Sequence, residues 1–306
     1  PRVRRQRQMC IRDRYRLQQV VGFQRETKWK RLLGRCLAGF LAVAAIGQIP
    51  ALAYCTEYSE TYYNPSGALT VVESDWGEFF GTSDGCAVVY DLGADLYTVY
   101  NKSEATRRVP PCSTYKIYSA LNALEQRIIA PVANTLVWDG TAYAFESWNQ
   151  DQTLRSAMQE SVNWYFKFLD QSAGTAQMED FLTEISYGDC NFGDDSDSFW
   201  NGSGVKISAL EQVELLVKLY RNDFGFEDGN ITAVKDAMLL CEEGLYGKTG
   251  TGRLDGANVA GWFIGFAETH SDTYFIAVYQ NSQDGADGAL AYETASNILQ
   301  TMNIIE

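Results

Sequence analysis

The chain has 306 residues, 46% of them hydrophobic, enough for one sizeable core or two small ones, and a net charge of −14. Twelve Arg or Lys against Asp13 and Glu26 give residues 1–36 a net +10 and leave −24 for the rest; so acidic a remainder argues against nucleic-acid binding, which needs cations to neutralise phosphates. A single histidine, His270, rules out a histidine-rich metal site, and seven scattered cysteines with no C-x-x-C pair imply no metal.

The first stretch, PRVRRQRQMCIRDR, has no apolar periodicity and reads as a disordered basic tail or as non-native sequence, so it is set aside from fold reasoning. Leu37 to Tyr54 contains no charge and follows Lys28, Lys30, Arg31 and Arg35, the pattern of a transmembrane segment with its basic end in the cytoplasm. Eighteen residues are near the lower limit for a span. Ala51-Leu52-Ala53 also resembles a signal-cleavage site, so secretion after cleavage stands as the rival reading. Either way residues 55–306 lie outside the cytoplasm, where an odd number of cysteines leaves at least one free thiol. The organisation expected is therefore a basic segment over 1–36, a membrane or signal segment over 37–54, a Tyr-, Ser- and Gly-rich connector over 55–84 and a folded domain over 85–306.

Within that domain, Cys86 to Leu92 and Leu96 to Tyr100 are β-type runs separated by Gly93-Ala94-Asp95, a hairpin. Pro110 and Pro111 cannot continue a strand ladder, and a helix is expected to open near Cys112 or Ser113 with Leu121 and Leu124 turned inward. Ser113 and Lys116 then share a face. A serine is a good nucleophile only when a base takes its proton, and lysine is a base only when neutral. The positive end of the helix dipole and an apolar pocket both favour the neutral amine. S-x-x-K followed downstream by Lys248-Thr249-Gly250 is a serine acyl-transfer signature. Cys112 has only His270 as a possible partner and reads as a packing residue.

Leu136 to Trp148 is loop-like. Leu154, Ala157, Met158, Ser161, Val162, Tyr165, Phe166 and Leu169 follow the period of one helix face, with Ser161 on it, bonded back to the preceding turn or facing a pocket. Another helix covers about Leu210 to Tyr220. Leu245 to Thr251, Val259 to Ala267 and Thr273 to Asn281 read as three successive strands, and a last helix runs from about Ala289 to Met302. The fold class expected is α+β: an antiparallel sheet flanked by helices with an all-helical insert.

Six elements in order, Ser113-Thr114-Tyr115-Lys116, Ser161-Val162-Asn163, Tyr187-Gly188-Asp189, Phe199-Trp200 before Lys206-Ile207-Ser208, Lys248-Thr249-Gly250-Thr251-Gly252 and Gly261-Trp262-Phe263-Ile264-Gly265, resemble the penicillin-recognising serine acyl-enzyme superfamily. The resemblance covers about residues 80–306 and is to class D β-lactamases and the β-lactam sensor-transducers of Gram-positive bacteria. It implies a β-lactamase/transpeptidase-like fold and β-lactam antibiotics as ligands. It also implies roles for single residues. Ser113 attacks the lactam carbonyl and Lys116, typically carboxylated by CO2 in this branch, is the base. Ser161 relays a proton to the lactam nitrogen, while Lys248 tunes Ser161 and attracts the substrate carboxylate. Trp200 holds the carbamate, the backbone N–H groups of Ser113 and Thr251 form the oxyanion hole, and Thr249, Gly250 and Thr251 meet the substrate carboxylate end. Trp262 reads as packing.

Two departures separate sensor from hydrolase. Class D hydrolases usually have a valine where this chain has Asn163, and an asparagine stabilises the bare amine, so that the carbamate is lost on acylation and the acyl-enzyme persists. Ala289 to Ala295 offers no arginine where many class D enzymes bind the substrate carboxylate. Ser161-Val162-Asn163-Trp164-Tyr165-Phe166 and the stretch from Phe145 to Gln152 resemble the sensor branch more closely. The resemblance therefore implies a β-lactam sensor domain, with a class D β-lactamase and a penicillin-binding protein/transpeptidase as the other readings. In such sensors the acylation domain follows a multi-pass zinc-protease region; this chain has no H-E-x-x-H.

Overall fold

The computed structural model describes residues 59–62, 69–191, 200, 204–241, 244–283 and 285–306. The basic segment, the uncharged stretch 37–54 and Phe199 lie outside the described residues. Among the described residues no helix is long and apolar enough to cross a membrane.

One eight-stranded sheet organises the domain: β1 Ser59–Tyr62, β2 Leu69–Glu73, β3 Asp84–Asp91, β4 Leu96–Tyr100, β5 Leu239–Cys241, β6 Leu245–Leu254, β7 Ala257–Glu268 and β8 Thr273–Asn281, in the order β1-β2-β4-β3-β8-β7-β6-β5. β3 pairs with β4 as the expected hairpin, and β6, β7 and β8 form the expected antiparallel meander. Two expectations need correction. The sheet is mixed, because β2 runs parallel to β4, with Thr70 opposite Leu96. The stretch read as a connector supplies β1, β2 and a 3-10 turn over Gly77–Phe80, whose Phe80 is buried.

The helices are α1 Lys102–Ala105, α2 Lys116–Glu125, α3 Leu154–Gln159, α4 Asn163–Ala173, α5 Thr175–Glu184, α6 Ala209–Tyr220, α7 Asp228–Met238 and α8 Gly288–Thr301. Successive strand residues point to opposite faces, and β3 is covered on both: Ala87 and Val89 join Phe263, Ile276, Val278 and the α8 residues Ala291, Ala295 and Ile298, while Cys86, Val88 and Tyr90 join the core under the helical layer. That layer comes almost entirely from between β4 and β5. The Ser208–Glu211 capping box opens α6, and Glu211 also receives a forked contact from Arg108, tying the helix to the segment that leads into the nucleophile turn.

Glycines set the closest approaches. A Cβ on Gly261 of β7 would stand 2.0 Å from the Asp287 carbonyl at the head of α8. We therefore expect Gly261→Ala to lower unfolding stability by at least about 1–3 kcal/mol, read from the urea midpoint, by forcing α8 off the sheet.

Candidate active site

Pro110 and Pro111 end the extended chain, and a 3-10 turn over Cys112–Tyr115 precedes α2. Ser113 therefore lies in the tighter turn and not in an α-helix. Residues three apart eclipse in a 3-10 turn, and the Ser113 hydroxyl oxygen stands 3.0 Å from Lys116 Nζ. Cys112 has φ +53°, a left-handed backbone that costs a non-glycine residue energy and persists only where neighbours enforce it. Here they do. Cys112 N–H donates to the Trp200 carbonyl at 2.9 Å, the Trp262 indole N–H donates to the Pro110 carbonyl at 2.9 Å, and the Thr114 hydroxyl donates to the Pro111 carbonyl at 2.7 Å.

The helix expected through Ser161 is two helices. α3 ends at Gln159, Val162 N–H closes back on the Ala157 carbonyl at 2.9 Å, and Ser161 sits in the break with φ +54°. The break frees its main chain and side chain for another partner, which is Lys116. Nζ lies 2.7 Å from the Ser161 carbonyl, 2.9 Å from the Ser161 hydroxyl and 2.6 Å from Asn163 Oδ1, the first residue of α4.

This arrangement has a definite protonation logic. Lys116 is 1% exposed, and burial first, with the charge of Lys248 second, holds its pKa well below the usual lysine range. A neutral amine has two N–H donors and one lone pair. The Ser161 carbonyl and Asn163 Oδ1 only accept, so they take both donors, and the lone pair is left to the hydroxyl protons of Ser113 and Ser161. The geometry suits a base poised on Ser113.

β6 brings the remaining residues. Lys248 is buried, its pKa is lowered to about 7 by desolvation, and among the described residues its hydrogen bond is to the Thr249 carbonyl at 3.0 Å. Its charge also lowers the Lys116 pKa, the second cause after burial. A Cβ on Gly250 would meet the Pro111 carbonyl at 3.1 Å and Ser113 N at 3.2 Å, so the strand edge that continues to Thr251 lies against the nucleophile's own amide. Thr249 and Thr251 alternate to the α8 side, where the Thr251 hydroxyl accepts from Gly288 N–H at 3.0 Å and keeps its proton to donate.

Trp200 stacks on Tyr115, with centroids 5.4 Å apart and planes 11° apart. Trp262 is buried, in keeping with a packing reading, and its indole also braces the turn. Tyr187-Gly188-Asp189 serves structure: Asp189 Oδ1 accepts from Lys206 N–H, and Gly188 has no room for a Cβ, which would lie 2.0 Å from the Lys206 carbonyl. Burial pushes the Cys112 thiol up to about 12, so it is no nucleophile at neutral pH, and His270 is exposed in the turn after β7. Sequence reasoning missed Asp170 and its two hydroxyl donors, Ser119 and Tyr115; the only trace was a carboxylate seven residues after Asn163 on a largely apolar helix.

Comparison with known proteins agrees with this geometry. Residues 85–300 match the penicillin binding protein transpeptidase domain. The regulatory protein BlaR1 of Bacillus licheniformis is 37% identical over 294 residues, covering 94% of this chain and 48% of the relative, so the chain spans about half the length of that curated protein. The solved C-terminal domain of the Bacillus licheniformis BlaR penicillin-receptor superposes with a TM-score of 0.74 at 41% identity, over 77% of this chain and 98% of that one. The class D β-lactamase BAT-2 gives 0.71 at 36% identity, over 76% and 97%. With a serine, a neutral lysine and a second serine assembled as the motif order requires, and with most of the folded part matched, the chain belongs to the penicillin binding protein transpeptidase domain family, on the branch shared by BlaR1-type regulators and class D β-lactamases.

Proposed function

We propose that this chain is the β-lactam-binding domain of a sensor: Ser113 is acylated by penicillins or cephalosporins and released slowly, and the acylated state is the signal that induces resistance. The observation that carries the reading is the 2.6 Å contact of Asn163 Oδ1 with Lys116 Nζ. During acylation the Ser113 Oγ–H bond breaks, its proton moves to Lys116 Nζ, Oγ bonds to the lactam carbonyl carbon, and the C–N bond opens. The Ser161 hydroxyl gives its proton to the leaving nitrogen and takes one from Nζ, so no net proton is gained. The amides of Ser113 and Thr251 receive the developing oxyanion. The charge of Lys248 attracts the substrate carboxylate, and the strand edge at Thr249 to Thr251 receives it.

Deacylation needs the base a second time, for a water. On this reading the bare amine, stabilised by Asn163 and the Ser161 carbonyl, does not activate a water; that task would fall to a carbamate on Lys116, which Asn163 disfavours. Carboxylation of Lys116 by CO2, which needs the neutral amine that burial supplies, is on this reading opposed by Asn163 and takes no part in turnover. The likeness to a regulatory protein and to a penicillin-receptor domain supports the sensor over the hydrolase. The reading calls for a membrane attachment through residues 37–54 with the domain outside the cell, and for a multi-pass zinc-protease region to carry the signal inward.

A fluorescent penicillin should label the purified chain once, at Ser113, with negligible turnover, and Ser113→Ala should abolish labelling. Rapid nitrocefin hydrolysis that rises with added bicarbonate would reverse the ranking in favour of a class D β-lactamase. Asn163→Val should shorten the acyl-enzyme lifetime at least about 10-fold, equivalent to about 1.4 kcal/mol of barrier; an unchanged lifetime removes Asn163 from deacylation. The pH dependence has a definite sign. Lys116 must be neutral, so acylation is lost as pH falls through its lowered pKa. Lys248 must be charged, so acylation by a carboxylate-bearing β-lactam declines as pH rises through about 7. A labelling rate that climbs steadily to about pH 9 would contradict the second limb.

A further inference from the structure

α2 and α4 face one another through polar contacts at two levels. At the first, Lys116 Nζ meets Asn163 Oδ1 at 2.6 Å. One turn along α4 the Phe166 ring lies 5.5 Å from Nζ. At the second level Asp170 Oδ1 accepts from the Ser119 hydroxyl at 2.5 Å and from the Tyr115 hydroxyl at 3.2 Å. Asn163 and Asp170 are two helical turns apart on one face of α4, and Lys116 and Ser119 one turn apart on α2. The two sets of contacts therefore fix the same sliding coordinate between the same two helices.

Asp170 is 8% exposed, and its Oδ2 is buried with no hydrogen-bond partner. Burial pushes the carboxyl up to about 7 against the hydrogen bonds from Ser119 and Tyr115. A buried, half-satisfied carboxyl is a costly way to hold two helices that Tyr165, Phe166 and Leu169 already pack. Its two donors come from the helix that carries the base and from the turn that carries the nucleophile.

We propose that Asp170 is a positioning residue that locks the register of α4 against α2, keeps Asn163 Oδ1 on the Lys116 amine, and so sets the lifetime of the acyl-enzyme. This rests on the sensor reading, in which Asn163 stabilises the bare amine against the carbamate that would support deacylation. Asp170 touches neither substrate nor the reacting atoms; it acts through Asn163.

A double-mutant cycle on the full chain tests it, read as the release rate of a fluorescent penicillin from the labelled protein. Asp170→Ala should shorten the lifetime about 10-fold in the native background and less than about 2-fold in Asn163→Val, because coupled residues are non-additive. Asp170→Asn, which keeps an acceptor for Ser119 and Tyr115, should stay within about 2-fold of native. An equal effect of Asp170→Ala in both backgrounds, no effect in either, or an Asp170→Asn variant as short-lived as Asp170→Ala overturns the inference. If Asn163→Val alone leaves the lifetime unchanged, the reading of Asn163 fails, which is a separate result visible in the same cycle. Should Asp170→Ala not fold by its thermal melt, Ser119→Ala takes its place with the same expected pattern.

Discussion

The chemistry of this domain depends on keeping one amine uncharged in a dry place. A lysine taken out of water loses the solvation that favours its cation, which leaves Nζ neutral with a lone pair, and the four oxygens around Nζ fix where that lone pair points. Two of them belong to a helix break and one to the first residue of the next helix. The base is thus assembled from a chain discontinuity, where main-chain and side-chain oxygens are free of helix duty.

The nucleophile is held by the opposite means, through constraint of its backbone. Cys112 is kept in the left-handed region by a carbonyl behind it, while an indole and a hydroxyl fix the prolines before it. Gly250 lets β6 close against the same turn. Ser113 is therefore referenced to the sheet and Ser161 to the helical layer, and Lys116, at the start of α2, is the only group hydrogen-bonded to both serines among the described residues.

Much of the site was legible because the chemistry is carried by short motifs whose spacing survives folding: S-x-x-K on one turn, K-T-G on a strand edge. β8 runs over the residues expected from alternation, Thr273–Asn281. The break at Ser161 was hidden because Leu154, Ala157 and Met158 and then Val162, Tyr165 and Phe166 serve one core on either side of it, so the apolar period continues where the backbone does not. β1 was hidden because it is a four-residue edge strand, and β2 because it pairs in parallel with a strand about 26 residues later in the chain. Asp170 was invisible for a related reason: its partners, Tyr115 and Ser119, are more than fifty residues away.

The strand order carries a mechanical implication. The polypeptide arriving from the uncharged stretch joins the sheet at β1, while Lys248 rides on β6, six strands across. At the usual spacing that is about 29 Å of continuous hydrogen-bonded ladder. Such a ladder ties the edge strand nearest the uncharged stretch to the strand that bears Lys248 through an unbroken row of main-chain hydrogen bonds.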